Sequence, residues 1–199
     1  STAATGLSIS SGASLAAGSV TNADGATIEN AGTLTSGSQI LNAGSLTSTG
    51  VIIGGLNNSG GQADLQGSLS GAIANQGGGT MTFTGTLAAN SSLFNAGNSG
   101  IFVDAGSAYG FTTLTNQSTA SVGITIANGA ALSADEVINS QGATIENNGV
   151  LTSLTGPIEN DGTLNSIGTI NGGVANTGTL ESSGVLNGGD LYQAFAATK

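Results

Sequence analysis

The stretch IENAGTL, Ile28 to Leu34, is followed by ILNAGSL from Ile40, and returns downstream as IENNGVL from Ile145 and IENDGTL from Ile158. In an extended chain side chains alternate between two faces. Ile28, Asn30, Gly32 and Leu34 then share one face, and Glu29, Ala31, Thr33 and Thr35 share the other. The first face carries the aliphatic side chains and is the one to bury. Asparagine and glycine therefore point inward as well. A buried amide is costly unless it is hydrogen-bonded, and an inward glycine suits either a space too narrow for a side chain or a bend with positive φ. A corner between two short strands meets both requirements, because asparagine bonds readily to nearby backbone in turns.

Related units occupy most of the chain: VTNADGATI from Val20, IANQG from Ile73, LFNAG from Leu93, LTNQS from Leu114, VINSQGATI from Val137 and VANTGTL from Val174. Internal repetition of this kind is the mark of a solenoid. The predicted corner asparagines are Asn22, Asn30, Asn42, Asn75, Asn95, Asn116, Asn139, Asn147, Asn160 and Asn176. Several of them lie about twenty residues apart, which sets one coil, and the shorter step from Asn22 to Asn30 marks successive corners within a coil. The spacing predicts an all-β, single-domain parallel β-helix (β-solenoid) over residues 1–189, with about nine or ten coils and a length of ~45 Å. Repeated asparagines at one corner either stack as an amide ladder or simply tolerate turns. A longer echo, VTNADGATIENAGTLTS from Val20 against VINSQGATIENNGVLTS from Val137, points to duplication of several coils.

Composition narrows the function. Eleven acidic residues stand against a single basic one, for a net charge of −10, so the chain lacks the cations that nucleic acid or an anionic membrane surface demands. No apolar run approaches the roughly 20 residues of a membrane span. There is no cysteine and no histidine, and Lys199 is the one basic residue, so arginine is absent too. Ser-His-Asp and Cys-His catalysis and the common zinc sites are thereby excluded. No cofactor, metal or catalytic residue is expected.

The degenerate N-x-G-T-L repeats, as in IENAGTL, IENDGTL and VANTGTL, resemble those of bacterial autotransporter passengers and filamentous-haemagglutinin-type exoproteins, from about Val20 to Leu186. The resemblance implies a right-handed parallel β-helix located extracellularly or at the bacterial cell surface. It also implies a role in adhesion, self-association or biofilm, with copies of itself or a cell-surface glycan or protein as partner.

Other readings stand beside this one. Paired carboxylates serve some polysaccharide-cleaving β-helices; here Glu159 and Asp161 share the outward face, Glu29 and Glu146 fill the same slot as Glu159 in the repeat, and adjacent Asp135 and Glu136 fall on opposite faces if extended. Isolated surface acids that confer solubility are the simpler account. Calcium at Glu159 and Asp161 lacks the further oxygen ligands it needs. The outward pairs Thr33/Thr35, Thr82/Thr84 and Ser45/Thr47 resemble ice-binding arrays, but equivalent slots become Val150/Thr152, Thr163/Asn165 and Thr179/Glu181. Phe83, Phe94, Phe102, Tyr109 and Phe111 crowd the middle of a chain otherwise poor in aromatics. They either widen the core or present rings to a partner, and Phe94 and Tyr109 are the candidates for contact. At the far end, residues 190–199 are expected to form a cap or subunit-contact segment, with Asp190 starting a short helix that buries Leu191 and Phe195.

Overall fold

The computed structural model describes residues 6–88, 91–188 and 192–193, with backbone alone at 87, 88, 192 and 193. Among the described residues there is no helix, and every strand pairing is parallel. The chain winds as a β-solenoid of about nine turns.

Each coil passes through three faces. The first sheet has ten strands, beginning with Leu7–Ile9, Thr27–Asn30 and Ser45–Ser48 and ending with Thr163–Ser166 and Thr179–Ser182. The second face begins as a four-stranded sheet, Ser14–Ala17, Thr33–Ser36, Val51–Ile53 and Ser68–Ser70. The third starts at Thr21–Asn22 and Ile40–Asn42. In the middle of the rod two long strands, Ala108–Ser118 and Ala131–Asn139, run without interruption from the second face into the third. Through them the later second-face strands, Val150–Ser153 and Thr169–Asn171, join the third sheet.

The alternation inferred from IENAGTL is the one observed. Ile28, Asn30, Gly32 and Leu34 are buried, while Glu29 and Ala31 are exposed and Thr33 and Thr35 half-exposed. One continuous core runs from Ile9 to Val174. Coil after coil it receives an aliphatic side chain from each face, as Ile28, Leu34 and Ile40 do in a single turn. Each such side chain contributes ~1.5–3 kcal/mol, so stability accumulates along the stack through contacts between neighbouring turns.

The long central strands change the corner between the second and third faces. Asp135 and Glu136 were expected on opposite faces, yet both are exposed. Pairing with the preceding strand skips Asp135, so the chain turns the corner there with both acids on the outside, between inward Ala134 and Val137. At the far end, Tyr192–Gln193 is a strand that continues the third sheet beside Val174–Asn176, where a helix was expected. The edge of that sheet offers unpaired backbone groups in register, and an added strand satisfies them. Asp190, Leu191 and Phe195 lie outside the described residues.

Candidate functional site

The most extensive built feature is a line of buried amides at the corner from the third face to the first. Asn22 donates through Nδ2 to Oδ1 of Asn42 at 2.7 Å, Asn42 to Asn58 at 2.6 Å, Asn58 to Asn75 at 2.8 Å and Asn75 to Asn95 at 2.9 Å. The line continues from Asn95 to Asn116 and from Asn116 to Asn139 at 3.0 Å each, then to Asn160 at 2.7 Å and to Asn176 at 2.6 Å. The second amide hydrogen is also used: Asn42 donates to the Gln62 carbonyl, Asn75 to that of Gly100 and Asn139 to that of Thr163, each in the following coil. Members of the line lie between 16 and 23 residues apart. Coil length therefore varies in the loops while the amide register is held.

The glycine two places after Asn42 has its own reason. A Cβ on Gly44 would stand 2.2 Å from the Ala26 carbonyl oxygen and 3.0 Å from the Asn22 amide nitrogen. The preceding turn of the ladder fills that space. Close approach, and not positive φ, selects glycine here and at Gly32.

Asn58 belongs to the ladder and was missed in the sequence, because LNNSGG lacks the flanking aliphatic pattern. Its position midway between Asn42 and Asn75 was the available signal. Two predicted corner residues, Asn30 and Asn147, lie elsewhere, at the corner from the first face to the second. There Asn30 donates to Ser48 Oγ and to the Val51 carbonyl, and Asn147 to Ser166 Oγ and to the Thr169 carbonyl. The side-chain oxygens Oδ1 of Asn30 and Asn147 are themselves buried without a partner. In register with them, one turn earlier, stand Ile9 and Ile126, which have nothing to donate.

The same division corrects the carboxylate grouping. Glu29 and Glu146 sit on the first sheet, Glu159 on the third, so IENAGTL and IENDGTL mark different corners despite their likeness. Glu159 and Asp161 are both exposed, and Asp161 accepts a hydrogen bond from the Thr177 hydroxyl. Among the described residues no three His, Cys, Asp or Glu side chains gather as metal ligands would. The threonine pairs are likewise divided: Thr33/Thr35 lie on the second face, Ser45/Thr47 and Thr82/Thr84 on or beside the first.

Of the two proposed contact aromatics, Tyr109 must be withdrawn. Its ring is 2% exposed, packed against Phe83 with centroids 4.5 Å apart, and its hydroxyl donates to the Leu65 carbonyl at 2.8 Å. Inward alternation with Phe111 places it there, and Phe111 also faces Phe83, at 6.0 Å. Burial pushes the phenol up to about 12; the nearby Asp64 charge adds to this and the Thr84 backbone amide draws it part of the way back. Phe94 is half-buried on the third face, between Ala74 and Thr115. Among the described residues the most exposed aromatic is Phe102, 41% exposed on the first sheet. Parity marks it, since Ile101 and Val103 on either side point inward. The chain matches no protein-family model, no curated protein and no solved structure.

Proposed function

We propose that the chain works as a non-enzymatic structural and adhesive rod, extracellular or at the bacterial cell surface, of the autotransporter-passenger or filamentous-haemagglutinin kind. Its lateral faces hold further copies of itself or a surface glycan or protein. The observation that carries this reading is the buried amide line from Asn22 to Asn176, which ties every coil to the next by side-chain as well as backbone bonds. Fully satisfied buried polar networks rigidify a structure and fix one register. A rod held in this way keeps the spacing of its outer side chains constant, as multivalent surface attachment requires. Its interior is filled with side chains, so partners meet the outer faces. With a net charge of −10 those faces suit neutral or cationic partners,.

The test is adhesion of particles. Beads coated with the purified chain are expected to cluster with one another or to adhere to cells, at a level well above beads carrying an unrelated acidic protein. Beads that stay dispersed and do not adhere would remove the proposal. So would release of reducing ends from neutral polysaccharides, which marks a glycoside hydrolase.

A further inference from the structure

On the first sheet one outward position runs in register through Glu29, Thr47, Asp64, Thr82, Phe102, Thr125 and Glu146. Six of the seven are polar. Phe102 breaks the run, and it is the one aromatic side chain exposed to this degree among the described residues. A phenyl ring standing on a solvated sheet between two threonines forgoes a large part of its burial energy, because it remains 41% exposed,.

Two neighbours make the break more than an isolated apolar residue. Gly100 faces the same side two places earlier in the same strand, opposite Thr80. Its φ is not positive, and no atom lies within 4 Å of the place a Cβ would take. Gly100 opens its strand, Gly100–Val103, at the corner that follows the amide line. With no side chain there, a strip of backbone beside Phe102 is left uncovered. Two places beyond Phe102, Asp104 accepts the Ala105 amide through Oδ1 at 2.8 Å, while its Oδ2 takes part in none of the hydrogen bonds among the described residues.

We infer that this patch binds a neutral glycan, with one sugar ring stacked on Phe102 and extending over the bare backbone at Gly100. The Thr82 and Thr125 hydroxyls, one on each neighbouring strand, and the Asp104 carboxylate take the hydroxyls at the ring edge. Apolar contact with one face and hydrogen bonds around the rim are what a sugar ring offers. Charge selects among glycans: Asp64 and Glu146 lie in register on either side, and the chain's one basic residue is Lys199. Sulfated and uronic chains are repelled, and neutral ones are not. The assignment rests on the adhesive reading above and names its ligand class.

Affinity electrophoresis through gels containing hydroxyethylcellulose, mixed-linkage β-glucan, galactomannan or dextran, with heparin as the anionic comparison, tests the site. At least one neutral polymer is expected to retard the wild-type chain, and heparin not. Phe102→Ala is expected to weaken retardation about tenfold, the worth of one stacked ring. Gly100→Gln, which fills the bare strip, acts in the same direction, and Phe94→Ala on the third face changes nothing. Both first-sheet substitutions are on the surface, and unchanged circular dichroism and melting confirm their fold. Failure of every neutral polymer to retard the wild type, equal loss in Phe102→Ala and Phe94→Ala, or stronger retardation by heparin overturns the inference. The bead assay keeps the two readings apart. Phe102→Ala beads that adhere as well as wild type, from protein that the neutral polymer retards as strongly as wild type, leave the rod adhesive and overturn the glycan site. Non-adherent wild-type beads whose protein is still retarded in the gel, with retardation lost in Phe102→Ala, support the site and remove the adhesive role.

Discussion

Two corners of each coil are built from nearly the same sequence and reach different states. At the third-to-first corner an asparagine recurs in every coil from Asn22 to Asn176, and each inner carbonyl oxygen from Asn42 onward accepts from the amide before it. At the first-to-second corner the register runs Ile9, Asn30, Ser48, Leu65, Phe83, Val103, Ile126, Asn147, Ser166, Ser182. Two short polar runs flank an apolar one, and each polar run starts with an asparagine whose carbonyl oxygen is orphaned. Between them the corner is held by Phe83, Tyr109 and Phe111. A buried amide is thus stable as a member of a series, and its first member carries the cost of the boundary. Once a coil places an apolar residue at the corner, the next coils do better to continue with apolar residues until the run is ended.

The largest effect should come from interrupting the closed series. Asn95→Ala deprives the Asn75 amide of one acceptor and the Asn116 carbonyl oxygen of its side-chain donor, and removes the bond to the Gly123 carbonyl. A loss of about 3 kcal/mol is expected, since three buried hydrogen bonds are lost at ~0.5–1.5 kcal/mol each,. Urea unfolding monitored by circular dichroism measures it. A loss below that of Asn147→Ala would show that the ladder is no stronger than the interrupted corner.

The apolar stretch of the second corner can be challenged through pH. The Tyr109 phenol bonds the Leu65 carbonyl within that stretch, and burial raises it from 10.0 to about 12. Its neutral form is the one the fold favours. The contribution is complete below pH 10 and is lost as pH rises from 10 to 12, amounting to about 2 kcal/mol. Unfolding midpoints across that interval should fall more steeply for the wild type than for Tyr109→Phe, and parallel profiles would place the phenol outside the energetics of the corner.

Asn147→Ala should cost less, about 1 kcal/mol, because losing the bonds to Ser166 and Thr169 is partly offset by deleting an orphaned oxygen,. The same urea titration provides the comparison with Asn95→Ala.

These contrasts mark the limit of what the sequence discloses. Alternation was legible because aliphatic and polar residues interleave in IENAGTL at the period of a strand, and the corner role of asparagine followed from the cost of an inward amide. The identity of the corner was not legible, since IENAGTL and IENDGTL carry the same local chemistry and differ only in which strand precedes them. Glu29 and Glu159 were paired for that reason. Asn58 escaped because its strand, Leu56–Ser59, has polar Asn57 on the outward side and the turn leads to small Ala63 where Leu46 stands one coil earlier. Tyr109 and the acids Asp135 and Glu136 were misplaced by a common cause. They lie in the two strands that run from the second face into the third, where length and bending depend on pairing between coils. Phe102 was legible by parity from Ile101 and Val103, but its meaning depended on the emptiness around Gly100, which sequence alone does not contain.

The finest distinction between the corners concerns the boundary itself. If the Asn147 oxygen is orphaned because Ile126 precedes it, a hydroxyl at 126 should find an acceptor waiting, one strand spacing of ~4.8 Å away. Ile124 is the internal control: it is equally buried, lies in the same strand and pairs with Ile145, which has no polar atom to offer. Ile126→Ser and Ile124→Ser both forfeit apolar burial and open a cavity, at ~2–5 kcal/mol for losses of this size. Only the first gives its hydroxyl a buried partner. The difference between them, expected at about 1 kcal/mol in favour of Ile126→Ser, isolates the boundary cost from the packing cost. Equal destabilisation in urea would mean that the Asn147 oxygen already has a partner, such as a buried water, and that the break in the amide series carries no penalty of its own.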